Sequence, residues 1–495
     1  MPKSSPLWRS TPCSQRKEGD LLLSFLICSS RAKQLVSSFF DWSRASRARL
    51  ASLQNHQMFL PLLSGLLLRV ALAPWTEQRW DSYINRLMGA YVFGYGIDPL
   101  FPERSCNCPP VLNYSYPPIW LLLIIPLFAL WLGVTRFTFP QHPQALWAAW
   151  TSGGNLFEAY RSFIPTNLPL LDSLLKTPVI MADISIGYLI WIMGGRTRKA
   201  ARVSLLAWIL NPYVIMVGAW WGEFDSLALL FMLLSVHYLQ RRRIMLSGFW
   251  LGMGISTKLF PGVLLIPVVY YILMTQKSQI SKYIASLFAT LGVVFSSLLF
   301  FPYSLDFVIR LLTGRVSPDT GGSNLFSGLS WLILFQQLPS LPRIPFLAII
   351  FPIILALLIF KFRGSMQKAD IILPFLTAAF LGIYLSYPTI NVQYPMWAIP
   401  MLAVLLVRRS ISKWSIVTFS VLPLSFLIIT WNPLYLLSPF LIVDIYNYPP
   451  ASDVIQQLWS FPWQLYWALP ILFTITVIFT ISRCVNILNP SPVDH

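Results

Sequence analysis

The sequence predicts an all-α polytopic membrane protein, a bundle of about 11 to 13 transmembrane helices with a large outward first loop. Three observations predict it. Of 495 residues, 56% are hydrophobic and only 11% are charged, and the mean hydropathy is +0.63. Apolar runs of about 17 to 22 residues recur along the chain, each near the length needed to cross ~30 Å of hydrocarbon at ~1.5 Å per residue. The basic residues stand in short clusters between these runs, as topology determinants do. The spans are helices because lipid offers the backbone no hydrogen-bond partners.

Each element follows from the charge map. Residues 1–57 carry nine Lys or Arg against three acids, so they read as a basic, disordered cytoplasmic tail. The short apolar run Leu21–Cys28 looks superficially like a signal peptide, but a cleaved leader would invert the first span. Residues 58–74 leave the cytoplasm and 75–177 form the outward loop. Within it, Ile119–Gly133 is apolar but contains Pro126. It is expected to lie along, or dip into, the outer surface, because a full crossing would reverse everything downstream unless a weak span hid in 140–165. Then 178–195 return, 203–219 leave, and 222–240 return to Arg241, Arg242 and Arg243. Met245–Leu273, broken by Lys258 and Pro261, reads as a hairpin of two short helices. Residues 282–302 leave and close the module 58–302. An outward loop covers 303–343. The C-terminal helices of 344–482 follow, at 344–360, 369–388, 391–407, 414–431 and 463–482, and 483–495 form a short tail. Glu223 and Asp225 come out on the non-cytoplasmic face.

Several function classes drop away. The net charge of +18 is not interleaved with exposed aromatics as a nucleic-acid face requires, so no nucleic-acid partner is expected. The five cysteines have no metal-ligand spacing, and the four histidines are scattered. Cys106 and Cys108 could form a disulfide, but a ring that small is strained, so two thiols or a link to another segment fit equally well. Asp319–Asn324 includes two glycines that permit a mobile lid, but lacks the context of a nucleotide-phosphate loop.

The chemistry-bearing residues gather at the outer ends of helices. Asp81 lies in RWDSYINRLMGAYVFGYGIDPLF, with Trp80, Tyr83 and Tyr91 suited to a sugar or headgroup and Arg79 and Arg86 bringing positive charge. The plain alternative is that Asp81 caps a helix. Two prolines in Tyr114–Trp120 set an extended approach to an apolar helix. Asp183, inside a span, must face the bundle and find a partner. In WWGEFDS, Glu223 and Asp225 could position an acceptor, contact sugar hydroxyls or hold a divalent cation; the alternative for Asp225 is a cap on a helix starting at Ser226. Lys258, an ammonium in an apolar run, needs an anion, whether a ligand phosphate or a structural partner such as Asp183 or Asp225. Asn391, Gln393 and Tyr394 offer neutral donors and acceptors for a sugar.

Taken in order, a set of motifs covering about residues 80 to 407 resembles the GT-C superfamily of integral-membrane glycosyltransferases, in the branch of GPI-anchor-type mannosyltransferases and their prokaryotic relatives. They are Asp81 with Tyr83, Gly96-Ile97-Asp98-Pro99, Tyr116-Pro117-Pro118, Lys176-Thr177-Pro178 with Asp183, Asn211-Pro212, Trp221–Ser226, Ser256–Pro261, and Asn391–Tyr394 with Trp397. In that branch the position of Glu223 is often Gln, which weighs against catalysis by Glu223.

The resemblance implies transfer of a hexose, mannose foremost, from a polyprenyl- or dolichyl-phosphate sugar to a lipid-linked or glycan acceptor. It makes Asp81 the general base and gives Tyr83, Arg86, Glu223, Asp225, Lys258, Asn391, Gln393 and Tyr394 substrate-binding parts, with Lys258 on the donor phosphate. It names no certain cofactor and leaves metal use open, a divalent cation being one role for the acids. It implies a multi-pass protein of the plasma membrane in a prokaryote or the endoplasmic reticulum in a eukaryote, active on the non-cytoplasmic face. The rivals are a secondary transporter or lipid flippase, whose internal repeats are missing here, and a non-catalytic membrane scaffold.

Overall fold

In the computed structural model the described residues are 56–96, 98–100, 116–139, 168–194, 199–314, 327–332, 346–368, 370–408, 410–430 and 463–487. The chain divides into two compact units, Met1–Leu60 and Pro61–His495. Of the first unit only residues 56–60 are described. The basic tail through residue 55, the Cys106–Cys108 pair, the weak-span candidate 140–165 and Asp319–Asn324 lie outside the described residues.

The described chain is helical almost throughout. Helix α1 (His56–Leu72) is followed by α2 (Arg79–Ala90), which runs into a π-turn at Tyr91–Tyr95. Then come α3 (Pro118–Thr135), α4 (Leu168–Gly194) and α5 (Lys199–Ile209). A short α6 (Pro212–Ile215) continues as a π-helical turn, Met216–Trp221, before α7 (Asp225–Gln240) and α8 (Ile244–Thr257). A 3₁₀ turn at Phe260–Leu264 leads into α9 (Leu265–Thr275), then α10 (Ile280–Ser296) and α11 (Ser304–Gly314). The two-residue strand β1 (Ser327–Gly328) pairs in parallel with β2 (Thr389–Ile390). The remaining helices are α12 (Phe346–Phe362), α13 (Ile372–Ser386), α14 (Ile399–Val407), α15 (Lys413–Thr430) and α16 (Trp463–Asn486).

Among the described residues six helical segments are long and apolar enough to cross a membrane, and seven shorter apolar helices accompany them. The protein is an all-α polytopic membrane protein. Large apolar side chains stand outward on α10, α12 and α16, including Val293, Leu357, Phe360 and Ile475, which is the surface of a protein solvated by hydrocarbon. Helix α13 is buried along its whole length, and its apolar residues all round fit that central place.

Two expectations, the interfacial or re-entrant form of 119–133 and the single span at 203–219, differ from the structure in detail. Pro126 leaves α3 unbroken, and at 18 residues the helix has the length and composition to cross. Its start packs Ile119 beside Ala182 of α4 and Leu227 of α7, while Phe128 stacks on Phe93 and Phe139 at 6.2 Å. The span expected at 203–219 is interrupted at Asn211-Pro212. Pro212 lacks the amide that would continue the ladder, so Asn211 caps the restart by accepting from the Tyr213 amide at 3.0 Å and donates from its own amide group to Ser420 at 2.7 Å. The hairpin expected in Met245–Leu273 is present, turning at Lys258 between α8 and the 3₁₀ turn.

One buried ion pair ties the bundle together. Arg69 of α1 donates from Nε to Asp183 Oδ2 of α4 at 2.8 Å, and from Nη1 to the Ile209 carbonyl at the end of α5 at 2.7 Å. Ser226 of α7 donates to the other Asp183 oxygen at 2.6 Å, and Trp208 to the Asp183 carbonyl at 2.9 Å. Asp183 thus has the bundle-facing partner that its position demands, and that partner is Arg69, not Lys258. The basic clusters lie far along the helices from Glu223 and Asp225: Arg241 to Arg243 end α7 exposed, and Arg408 reaches Asp370 at 3.9 Å.

Arg69→Met should leave Asp183 charged and unpaired in the interior, a loss of about 3 to 5 kcal/mol. The measurement is the thermal unfolding midpoint in detergent. Adding Asp183→Leu should recover much of the loss, and a single variant as stable as the parent would contradict the assignment.

Candidate active site

The WWGEFDS segment owes its path to Gly222. The π-turn Met216–Trp221 ends on this residue at φ 88°, a left-handed conformation that costs a residue with a Cβ about 1 to 2 kcal/mol. A Cβ there would also sit 3.0 Å from Lys176 Cε. Lys176, buried on α4, clamps the turn from beneath by donating to the carbonyls of Trp220 at 2.9 Å, Ala73 at 3.2 Å and Thr76. The reversed chain lets the Glu223 amide donate to the Val217 carbonyl at 3.1 Å and sends Glu223, Phe224 and Asp225 into the head of the bundle.

Aromatic rings fix this segment. Phe224 stacks on Trp120 of α3, centroids 4.6 Å apart, and meets Tyr116 edge-on at 4.8 Å. Pro118 starts α3 at its first turn, so the proline pair sets Tyr116 and Trp120 one turn apart around the Phe224 ring. Trp120 also donates to Asn85 Oδ1 of α2 at 2.9 Å. A second stack joins the two C-terminal motifs: Trp397 lies 3.8 Å from Phe260 and 4.1 Å from Tyr394.

Four ionisable groups meet between these stacks. Lys258 Nζ is held by Glu223 and Asp225 together, with all three side chains nearly or fully buried. The ammonium also lies 4.7 Å from the Phe224 ring and 5.4 Å from that of Tyr116, where cation–π attraction adds to the pairing. Asp81 completes the group: Trp221 Nε1 donates to its Oδ2 at 2.7 Å. Asp81 and Glu223 line one small recess with Ile84, Asn85, Tyr116 and Phe224. Burial, and then the neighbouring Glu223 carboxylate, push the Asp81 carboxyl up to about 7.

Both capping alternatives are corrected. Gln78, not Asp81, caps α2, its Oε1 accepting the Asp81 amide at 2.6 Å. Asp225 already lies within the first turn of α7, and its carboxylate goes to Lys258. Lys258 does have carboxylate partners, Asp225 as one of the two expected and Glu223 as well. An ammonium has three N–H donors, and two are directed to these carboxylates.

Beside Lys258 opens a largely apolar cavity of about 230 Å³. Phe260, Leu311, Tyr384, Tyr387, Tyr394 and Trp397 supply much of its wall. Asn391 is exposed and donates to the Tyr394 hydroxyl at 3.3 Å, and Gln393 is half-buried beside it. The expected site residues Asp81, Glu223, Asp225, Lys258 and Tyr394 thus come together. Arg86 is engaged elsewhere, buried between Glu77 and Asp172. Tyr83 lies on α2, and its side chain is outside the described residues. Glu77, Asp172 and the Trp221 indole were not legible as parts of this arrangement; the nearest signal was that a buried Arg86 requires counter-ions. Among the described residues no group of three or more His, Cys, Asp or Glu is placed to hold a metal ion.

Comparison with known proteins finds partial matches. The Eremothecium gossypii protein named GPI mannosyltransferase 1 is 38% identical over 85 residues, which cover 17% of this chain and 21% of that protein. The Candida albicans protein of the same name is 28% identical over 126 residues, covering 23% of this chain and 31% of the relative. The chain therefore matches less than a third of the length of these curated relatives. No protein-family model matches it. The crystal structure of ArnT from Cupriavidus metallidurans bound to undecaprenyl phosphate aligns over 87% of this chain and 77% of that one, with 15% identity and a TM-score of 0.42.

Gly222→Ala should lower stability by about 1 to 2 kcal/mol through its backbone conformation, read as a reduced unfolding midpoint. Gly292→Ala, on α10 with nothing within 4 Å of the added Cβ, is the control and should not be destabilising. Equal midpoints for the two variants would remove the case for a required glycine at 222.

Proposed function

We propose that this protein is an integral-membrane glycosyltransferase of the GT-C type that moves a hexose from a polyprenyl-phosphate sugar to a hydroxyl of a lipid-linked or glycan acceptor. Mannose is the favoured sugar because the matched relatives are named mannosyltransferases. The observation that carries the reading is the juxtaposition of Asp81 with Lys258 through Glu223, at the head of an apolar cavity.

In this reading the acceptor hydroxyl lies in the recess at Asp81 and attacks the anomeric carbon of the donor sugar. Asp81 takes the hydroxyl proton as the new C–O bond forms, and the bond from the anomeric carbon to the phosphate oxygen breaks with its electron pair leaving on the lipid phosphate. The remaining N–H of Lys258 meets that developing charge where surrounding rings keep the dielectric low. The cavity walled by Leu311, Tyr384, Tyr387 and Trp397 takes the first part of the polyprenyl chain. Tyr394 in the cavity wall, with its neighbours Asn391 and Gln393, serves as a sugar ligand, Asp225 holds Lys258 in place, and Arg86 supports the fold of α2 through Glu77 and Asp172.

Purified protein in detergent, given labelled polyprenyl-phosphate mannose and a native lipid extract, should yield a glycosylated product. Asp81→Asn should keep donor binding while transfer falls by about 10² to 10⁴. Because a base must be deprotonated, the rate should rise with pH through about 7. Full turnover by Asp81→Asn would sink the assignment of the base.

Sidedness has its own test. Cysteines placed at the exposed Asn391 and Arg242 should react with a membrane-impermeant maleimide from opposite faces, Asn391→Cys from the non-cytoplasmic one. Labelling of both from one face would exclude the proposed topology.

A further inference from the structure

The placement of Glu223 is not explained by substrate binding. It is nearly fully buried, one oxygen is bound to Lys258, and its carboxyl group faces Asp81 across the recess shared with Tyr116 and Phe224. It thereby connects the two groups to which the proposed reaction gives opposite tasks. We propose that Glu223 is a positioning residue that couples Lys258 to Asp81, so that occupation of Lys258 by the donor's anionic phosphate strengthens Asp81 as a base. This inference rests on the glycosyltransferase reading above.

The physical steps are short. Glu223 and Asp225 share the single ammonium of Lys258, and Glu223 also lines the recess in which Asp81 stands. Asp81 and Glu223 therefore face one another as like-charged neighbours, which favours a proton on one of them. A phosphate drawn to Lys258 takes up part of its positive charge. Glu223 then repels the Asp81 carboxylate with less compensation, and Asp81 holds an incoming proton more firmly. Trp221 acts in the other direction, because its N–H on Asp81 Oδ2 stabilises the charged form.

Other charged and titratable groups among the described residues near Asp81 have partners of their own. On α2 itself Arg86 is occupied by Glu77, from the α1–α2 connection, and by Asp172 of α4. Lys176 of α4 is committed to backbone carbonyls. Tyr116, before α3, lies under Lys258. Asp225, on α7, is turned to Lys258. Glu223 is the acid that lines the recess with Asp81.

The test is a set of pH–rate profiles of the full chain, with polyprenyl-phosphate mannose as donor and the native lipid extract as acceptor source. The acid limb of kcat/KM reports the free enzyme, and that of kcat the donor-bound enzyme. For the parent protein the kcat limb should lie above the kcat/KM limb. Glu223→Gln should move the kcat/KM limb down by about one pH unit and bring the two limbs together. Trp221→Phe should move it up, and Glu223→Asp should keep the parental separation in part. A merely structural role would not shift two variants in opposite directions. If Glu223→Gln does not fold, the sign of the Trp221→Phe shift and the parental separation still decide. If Asp81→Asn is inactive while the limbs stay unmoved in Glu223→Gln and Trp221→Phe, the coupling is wrong and the transferase reading stands. If Asp81→Asn turns over normally, the reading and the coupling fall together.

Discussion

The interaction on which the site depends is the buried ammonium of Lys258 shared by Glu223 and Asp225. A charge removed from water costs several kcal/mol unless an opposite charge lies against it, so the turn between α8 and the 3₁₀ segment can face the interior only if WWGEFDS delivers its acids there. That delivery needs the left-handed Gly222, the Lys176 clamp beneath it, and the Phe224 ring held by Tyr116 and Trp120. Motifs far apart in the chain are thus parts of one requirement, the neutralisation of a single cation.

Pairing one cation with two acids has a consequence for the third acid. Were Lys258 bound to Asp225 alone, Glu223 would be a bare buried carboxylate; shared between both, it leaves negative charge that Asp81 must face. Burial adds to this, and the Asp81 carboxyl is pushed up to about 7. The Asp183–Arg69 pair is different in kind. Its carboxylate is met by arginine and by the Ser226 hydroxyl, and the result is a rigid joint among α1, α4 and α7. Ser226 follows Asp225 directly, so the joint also fixes the start of the helix from which Asp225 reaches Lys258.

Much of this was legible in the sequence, because hydrocarbon makes demands that residue types reveal. An acid or ammonium in an apolar run must find a partner, which singled out Asp183, Glu223, Asp225 and Lys258 before any partner was known. The helical class followed from the lengths of the apolar runs, and the turn at Lys258 and Pro261 from the missing amide of proline. What the residues could not reveal was who pairs with whom. Arg69 sits in a first span whose other residues are almost all apolar, and its meeting with Asp183 over 114 positions is a matter of packing alone. Arg86 was drawn towards Asp81 by nearness on α2, yet five residues along a helix place it on another face, where Glu77 and Asp172 take it. The π-turn before Gly222 likewise has no sequence signature beyond the glycine itself.

The same reasoning bears on why Glu223 can be an acid at a position where the resembling branch often has glutamine. A glutamine amide could still accept from Lys258 and keep the segment in place, so the geometry does not require a carboxylate. What a carboxylate adds is charge, and the charge falls on the two groups beside it, Lys258 at the cavity head and Asp81 in the recess. In the proposed reaction position 223 therefore adjusts the response of Asp81 to Lys258, while Asp225 also pairs with Lys258 and Trp221 also donates to Asp81. Variation at this position then has a functional meaning that variation at Asp225 or Gly222 would not have.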